Sequence, residues 1–160
     1  MPNAQGDISL LTDPVAEPLL RSRIPARLAY SWKDGTPRVV PIWFHWNGKT
    51  FVMGSDPNSP KVDALRANPD VALTIDTDDF PHKVLMVRGK VSVELVDGIA
   101  KEYAASANRY FGEEQGTAWV EQMGQLMSQM ARIEITPNWV GILDFQGRFP
   151  SAIAKRMERA

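Results

Sequence analysis

The chain has 160 residues, of which 44% are hydrophobic and 23% are charged, and its 18 basic and 19 acidic residues leave a formal net charge of −1. This length fits one domain with a buried core, and the balanced charge gives no general attraction to nucleic acid or to an anionic membrane. Cysteine is absent, which excludes disulfides, thiolate nucleophiles and Cys-ligated metal centres. His45 and His82 have no metal-ligand spacing, so we predict no metal site.

Residues 1–25 are expected to form an N-terminal arm and one short helix. Residues 1–12 are mostly small and polar, which indicates a mobile or draped arm. Asp13 and Pro14 are typical of a helix start, and Pro18 limits that helix to a few residues. No basic residue precedes Arg21, and no apolar run reaches the roughly 18 residues of a membrane span. We therefore expect a soluble, cytoplasmic protein with no membrane partner.

From Ala26 the pattern changes to short β-type runs with turns between them. Asp34-Gly35 and Asn47-Gly48 are typical hairpin turns because these residues tolerate positive φ. Gly89 predicts a bulge inside the longest run. The predicted strands cover residues 26–32, 37–46, 50–54, 71–77, 83–95, 131–136 and 139–145.

Three helices are predicted between these strands. Ser59 and Pro60 begin the first, which ends at Ala67. The second spans about residues 98–111, with Gly112 as its terminator and with these residues on one face: Ile99, Tyr103, Ala107, Tyr110 and Phe111. The third carries a stripe that fits core packing or an oligomer contact: Trp119, Met123, Leu126, Met127 and Met130. Together these elements predict a closed or split antiparallel β-barrel of the α+β or all-β class.

The predicted strand over residues 37–46 is apolar on both faces. Val40, Ile42, Phe44 and Trp46 share one face, and Val39, Pro41, Trp43 and His45 share the other. A half-solvated strand alternates apolar and polar residues, so the second face needs a cover. A partner subunit or a flat ligand would provide it, and so would helices of the same chain.

The loop after residues 50–54 is the second candidate site. It leads into a helix whose first residues have free backbone donors, and Ser59 and Lys61 add a hydroxyl and an ammonium. This arrangement indicates a phosphate site. The alternative is that Ser59 only caps the helix and that Lys61 is a solvated charge.

Other types of chemistry lack a motif in this sequence. There is no Gly-Lys-Ser/Thr phosphate loop, no Gly-x-Gly-x-x-Gly after a strand, and no triad spacing around either histidine. We assign no catalytic residue, and we expect a cofactor to supply the reactivity of any enzyme built on this chain.

Taken in order, the segments resemble the pyridoxamine 5'-phosphate oxidase-like family of flavin-binding split barrels. The resemblance is carried by RVVPIWF on a strand, FVMGS and NSPK at the loop, VDALRANPDVALTID behind it, and then KVLMVRGKVSVEL. It implies a mainly β (α+β) split antiparallel β-barrel over residues 26–147, with residues 148–160 as a C-terminal tail. It also implies a homodimer with FMN in a groove between the subunits.

The resemblance further implies which residues contact the cofactor. Ser59 and Lys61 would bind the phosphate, and Lys83 would add a polar contact. Gln115 would correspond to a glutamine donated by the second subunit. The ring or ribityl chain would lie along Arg38, Val39, Val40, Pro41 and Ile42, and the groove would be lined by Met53, Gly54 and Ser55.

The chain ends in FQGRFPSAIAKRMERA, which does not match the Arg-rich substrate segment of genuine pyridoxamine phosphate oxidases. Oxidation of vitamin B6 is therefore not the expected reaction. The sequence is interpreted as an FMN-dependent oxidoreductase that acts on a small organic substrate by hydride transfer. The alternatives are a reductase that uses 8-hydroxy-5-deazaflavin and a non-catalytic carrier or sensor of flavin or haem.

Overall fold

The computed structural model describes residues 4–160, and its centre is one antiparallel sheet. The strands are rich in Val, Ile and Leu, residues that suit a pleated, half-buried surface. Across the sheet their order is β2-β1-β5-β6-β7-β4-β3. Their bounds are β1 (Ala26–Ser31), β2 (Pro37–Ile42), β3 (His45–Trp46), β4 (Phe51–Ser55), β5 (Asp70–Asp76), β6 (Val84–Asp97) and β7 (Gln129–Leu143).

The two edges of this sheet are neighbours in the chain. β2 and β3 lie at opposite ends of the strand order, yet only Trp43 and Phe44 separate them. Three Cα–Cα steps span at most about 11 Å, so the edges must approach each other and the sheet must curl. β2 pairs with β1 and β3 pairs with β4, so the barrel stays split between its two edges. The predicted mainly β (α+β) split barrel is confirmed.

The helices lie between the strands and at the chain ends. A 3₁₀ helix covers Ile8–Thr12, and the α-helices of the described residues are α1 (Ala16–Leu20), α2 (Pro60–Ala67), α3 (Lys101–Phe111), α4 (Glu113–Leu126) and α5 (Ser151–Met157). The bounds of α2 agree with the prediction. Gly112 ends α3 with a φ of 85°, a left-handed conformation that favours glycine, and α4 follows at once. Met130, predicted on the third helix, instead lies buried in β7.

The β6–β7 pair is longer than predicted and contains the bulge. The register shifts between Arg88 and Gly89, which confirms the bulge. At Gly89 a Cβ atom would lie 2.4 Å from the carbonyl oxygen of Thr136, so only glycine fits. The two strands predicted over residues 131–136 and 139–145 are one strand, β7, because β6 pairs with it on both sides of the bulge. The prediction of a break there was wrong.

The single strand predicted over residues 37–46 is also corrected. It divides into β2 and β3 at Trp43 and Phe44. Phe44 is fully buried, and its carbonyl oxygen accepts a hydrogen bond from Arg109 of α3. This contact joins α3 to the chain at the point where β2 has ended and β3 has not yet begun.

The N-terminal arm is hydrogen-bonded to β7. Of the two alternatives predicted for this arm, the structure shows the draped one over residues 4–12, and the mobile one is wrong there. Gly6 donates to the carbonyl of Val140 over 2.7 Å, and the Gln5 amide exchanges two hydrogen bonds with the backbone of Ile142, at 2.6 and 2.9 Å. Leu10 is buried in the barrel core. Residues 1–3 of the predicted arm lie outside the described residues.

The helix predicted at Asp13 is present as the short α1. Asp13 accepts a hydrogen bond from the backbone of Val15 at 2.9 Å, and it also accepts one from Arg148 Nη1 at 2.8 Å. This second contact fastens the beginning of the predicted C-terminal tail to the N-terminal segment. Beyond it, α5 has no buried residue.

Candidate functional site

The junction between β4 and α2 brings together three of the predicted site residues. The turn after Ser55 is shaped by Asp56, whose side chain accepts from Asn58 N at 2.8 Å and whose carbonyl accepts from Ser59 N at 3.0 Å. With Pro60 at the first helical position, α2 then begins. The ammonium of Lys61 reaches back and donates to Ser55 Oγ at 2.8 Å and to Ser59 Oγ at 3.4 Å.

This ammonium is half-buried and lacks an anionic partner. Burial lowers the pKa of Lys61, and the more distant Asp56 carboxylate offsets this only in part. No carboxylate of residues 4–160 lies within 4.0 Å of Lys61 Nζ. A desolvated cation beside two hydroxyls and a helix N-terminus is suited to bind an anion such as a phosphate.

The alternative interpretation of this segment does not fit the contacts. Ser59 occupies the N-cap position of α2, but its hydroxyl makes no capping hydrogen bond and faces Lys61 instead. Lys61 is half-buried rather than solvated. Both side chains therefore belong to one polar group and are not independent surface features.

The predicted ring strand, β2, has one uncovered side. Val40 and Ile42 pack against the barrel core, whereas Val39 is 66% exposed and Pro41 is exposed. Helices of this chain therefore do not cover the outer face at Val39. Arg38 turns back toward the β1–β2 turn, where Nη1 donates to Thr36 Oγ1 at 2.6 Å.

The other predicted groove residues divide between the core and the surface of β4. Met53 is 1% exposed and its side chain is part of the core, so it can face a ligand only through its backbone. Gly54 lies on the opposite face, where a Cβ atom would come within 2.8 Å of Tyr103 Cδ2 and 2.6 Å of Met130 Sδ. Glycine at this position lets α3 approach the strand closely.

Lys83 and Gln115 are not brought to the Lys61 site within one chain. Lys83 immediately precedes β6, and its ammonium donates to Gln146 Oε1 at 2.9 Å. Ser55 instead pairs with Ala131, which pairs with Leu95 near the other end of β6. Gln115 is exposed on α4.

An aromatic cluster beside β2 was not predicted as a site. Trp43 stacks on Tyr110, with the ring centroids 5.0 Å apart and an angle of 11° between the ring planes. The Trp43 ring also contacts the rings of Tyr103, Phe111 and Trp119. Trp119 Nε1 donates to the Tyr103 hydroxyl at 2.9 Å. The shared helix face of Tyr103 and Tyr110 was visible in the sequence, but its meeting with Trp43 depends on the tertiary fold.

The rings of Trp43, Tyr103 and Trp119 form one wall of a cavity of about 420 Å³. The residues that line it include Trp43, Tyr103, Trp119, Pro41, Ile42 and Gly54, and none of the described lining residues is charged. Gly54 is adjacent in sequence to Ser55, so the cavity lies next to the polar group around Lys61. The structure thus places the polar group around Lys61 and an apolar cavity on either side of the β4 end.

A buried ion pair holds α3 against the sheet. Arg132 of β7 donates to Glu102 Oε1 at 2.9 and 3.2 Å, and it contacts Glu134 at 2.7 Å. Burial acts to raise the pKa of Glu102, but the hydrogen bonds and charge of Arg132 outweigh it and leave that pKa below its ordinary value. Because Glu102 precedes Tyr103, this pair fixes the part of α3 that carries the cavity wall.

Two further observations concern the part of the chain that the structure describes. Across residues 4–160, no three His, Cys, Asp or Glu side chains group together in a way that would hold a metal ion. In the same range, every helix is too short or too polar to cross a bilayer.

Solved structures share this fold. An F420 reductase is 27% identical, with a TM-score of 0.62 over 78% of this chain and 94% of its own. A conserved hypothetical protein from Mycobacterium tuberculosis is 16% identical, with a TM-score of 0.68 over 90% of this chain and 89% of its own. The haem storage protein HutZ from Vibrio cholerae is 18% identical, with a TM-score of 0.59 over 82% of this chain and 93% of its own. The last two likenesses show the fold alone.

No curated protein sequence matches the chain. The family model described as pyridoxamine 5'-phosphate oxidase matches residues 12–144, a range that includes every strand of the barrel, the β4–α2 junction and the aromatic cavity. On this match the chain belongs to the pyridoxamine 5'-phosphate oxidase family.

Proposed function

We propose that this protein is an oxidoreductase that binds a phosphorylated flavin-type cofactor and serves hydride transfer to a small organic substrate. The observation that carries the proposal is the half-buried ammonium of Lys61, which has two hydroxyls beside it and no counter-ion among the described residues. When bound, a flavin-type cofactor supplies a ring that accepts or donates a hydride.

The residues at the β4–α2 junction would hold the phosphate of such a cofactor. Lys61 would supply a charge-assisted contact, and Ser55 and Ser59 would donate hydrogen bonds once the ammonium turns to the phosphate. The end of β2 fits the apolar part of the cofactor, since Val39 and Pro41 expose apolar surface. β2 pairs with β1 alone, so its free edge offers unpaired backbone donors and acceptors to ring heteroatoms.

Two cofactors carry this chemistry, FMN and F420, the latter an 8-hydroxy-5-deazaflavin, and each of these two has a phosphate group on its side chain. A specific observation favours the deazaflavin as a second candidate. The F420 reductase is 27% identical to this chain, and the likeness covers 94% of its length. No comparable observation favours haem as the cofactor, because the haem storage protein is only 18% identical to this chain.

Titration of the purified protein tests the proposal. Absorbance and fluorescence with added FMN, and separately with F420, should show saturable binding of at least one of them. Turnover is then measured with the bound cofactor and a reduced nicotinamide or reduced deazaflavin donor. Binding without turnover would indicate a carrier or sensor, and the absence of binding to either cofactor would contradict the proposal.

We also propose that the protein works as a homodimer. In a single chain Val39 is 66% exposed and Leu126 is 71% exposed, and Gly116 is the one buried residue of α4. A second copy would cover these apolar surfaces. Light scattering at low micromolar concentration should give twice the chain mass, and a monomer under these conditions would refute this part of the proposal.

A further inference from the structure

Two helices of this chain carry apolar side chains that the chain itself does not cover. Within α4 only Gly116 is buried, and α5 has no buried residue. We infer that α5 of one copy packs on the outer face of α4 in a second copy, and that the reciprocal contact forms at the same time. This inference rests on the homodimer of the proposed function, and it names the elements that the dimer joins.

The length of α5 is the first argument for a partner. α5 has seven residues. Isolated helices shorter than about 12–15 residues are marginal in water, because most helical stability in proteins comes from the packing of an apolar face. Ile153 and Met157, one turn apart on α5, are 47% and 55% exposed. A second copy that covers this face would stabilise the helix.

The beginning of α5 is nevertheless held in one place. Asp144 Oδ1 accepts hydrogen bonds from the backbone of residues 146–148 at 2.8 or 2.9 Å. Arg148 Nη1 donates to Asp13 Oδ2 at 2.8 Å. The helix is therefore presented at a fixed position and is not a loose tail.

α4 and α5 are attached to opposite ends of β7. α4 ends at Leu126, just before β7 begins at Gln129, and α5 follows the other end of β7, at Leu143. The 15 residues of β7 rise by about 3.3 Å each, so the strand measures about 50 Å along its path. Among residues 4–160 no hydrogen bond, ion pair or ring contact joins α5 to α4. In a two-fold dimer one α5–α4 contact between copies implies a second, identical contact.

The two helices are opposite in charge. Residues 113–126 contain three acidic residues and no basic residue, a net charge of −3. Residues 151–160 contain three basic residues and one acidic residue, a net charge of +2. None of these charged side chains forms an ion pair within 4.0 Å with any of residues 4–160. Opposite charges on two uncovered helices favour a contact between them.

The outer face of α4 has an apolar groove with an acidic border. The groove has a volume of about 260 Å³, and its lining includes Phe111, Ala118 and Gln122 but no charged residue. Glu114 and Glu121 lie four residues before and three residues after Ala118, so they share its face of the helix. Such a surface is suited to an apolar side chain that has a cation beside it.

α5 presents that combination on one face. Ile153, Arg156 and Met157 are spaced as i, i+3 and i+4, so their side chains lie together. In the dimer Ile153 and Met157 would enter the groove of the second copy, and Arg156 would reach Glu121.

Introduced cysteines test the contact, because the natural chain has none. A full-length chain with Ala118→Cys and Ile153→Cys is treated with a short bismaleimide. It should give a covalent dimer on a denaturing gel, whereas a link within one chain would leave the monomer mass. Thr117→Cys with Ile153→Cys is the matched control, since adjacent helix residues do not face each other, and it should give little covalent dimer. Ala118, Thr117 and Ile153 are all exposed, so these variants should fold as wild type does.

A charge exchange tests the pairing of Arg156 with Glu121. Arg156→Glu should slow the crosslinking of the Ala118–Ile153 pair about tenfold, because each of two symmetric contacts loses an attraction and gains a repulsion. Adding Glu121→Arg should restore the rate. Lys49→Glu makes the same change in net charge at an exposed turn and should leave the rate unchanged. A rate that falls further when Glu121→Arg is added would contradict the pairing.

Light scattering separates this inference from the proposed homodimer. A wild-type dimer whose Ala118–Ile153 variant gives no covalent dimer, or no more than the Thr117 control, would overturn the inference and leave the homodimer in place. A wild-type monomer would refute the homodimer and this inference together. Neither outcome affects the cofactor titrations, which test the flavin-type site independently.

Discussion

Replacing Lys61 by Met removes the half-buried ammonium and keeps most of the side-chain volume. In the protein that ammonium lies 2.8 Å from Ser55 Oγ and 3.4 Å from Ser59 Oγ, with no carboxylate of residues 4–160 within 4.0 Å. If a phosphate is its partner, the loss of one side of a partly buried charge pair costs about 2–5 kcal/mol of binding free energy. This corresponds to a decrease in cofactor affinity of about 30-fold to about 5,000-fold.

The same substitution should not destabilise the protein without cofactor. Burial lowers the pKa of Lys61 from its ordinary value of 10.5, so the unfolded chain binds this proton more tightly than the folded protein. The free energy of unfolding of wild type should therefore rise with pH between the folded-state pKa and 10.5. A methionine at this position does not titrate, so the Lys61→Met variant lacks this contribution to the pH dependence of the free energy of unfolding. Any stability advantage of the variant is expected at neutral pH and should shrink as the pH rises.

Fluorescence titration with FMN and riboflavin measures the effect on the phosphate contact. Wild type should prefer FMN strongly, and Lys61→Met should bind FMN and riboflavin almost equally. If the cofactor is a deazaflavin, its phosphate-free riboside replaces riboflavin. Lys49→Met is a matched control, since Lys49 is exposed in the turn before β4. A preference for the phosphorylated cofactor that survives in Lys61→Met would refute the phosphate site.

Three further substitutions and one pH profile test the framework of the site. Gly89→Ala should lower the free energy of unfolding by about 1–3 kcal/mol, because its Cβ would lie 2.4 Å from the Thr136 carbonyl oxygen, and urea denaturation measures this. Glu102→Gln should cost about 1.5–3 kcal/mol, because it weakens the charge-assisted hydrogen bonds of Arg132 to Glu102 while Glu134 remains as a counter-ion. Wild type loses this stability as the pH falls through the lowered pKa of Glu102, and the variant should lack that dependence. Gln5→Ala should loosen the N-terminal arm at Ile142 while Gly6 and Leu10 keep the arm docked, with faster amide exchange at Ile142 as the readout.

The sequence was most informative where the structure is determined by neighbours in the chain. The start of α2 depends on Ser59 and Pro60, and the Lys61 site depends on residues within six positions of that lysine. The bulge at Gly89 could likewise be predicted locally, since a glycine inside a strand indicates a bulge or a close backbone approach. Local backbone preferences are sufficient to predict such features.

Features that depend on contacts between distant segments were not predictable from the sequence. The sequence of the arm left open whether it is mobile or draped, and only the structure shows that the Gln5 amide bonds to backbone groups of Ile142, 137 residues away. At the interruption after β2, Arg109 of α3 reaches the carbonyl of Phe44, 65 residues away. Neither contact leaves a periodicity or a turn signal in the sequence around it.

The dipeptide between β2 and β3 shows how closing the barrel and forming the cavity are linked. Adjacent residues in extended backbone direct their side chains to opposite faces. Phe44 is fully buried in the core, whereas Trp43 is only partly buried and meets Tyr103, Tyr110 and Trp119. In the sequence, the apolar residues on both faces of this segment suggested an external cover. In the structure, the two faces pack against different parts of the protein. One face fills the barrel, and at Trp43 the other face forms the wall of the cavity.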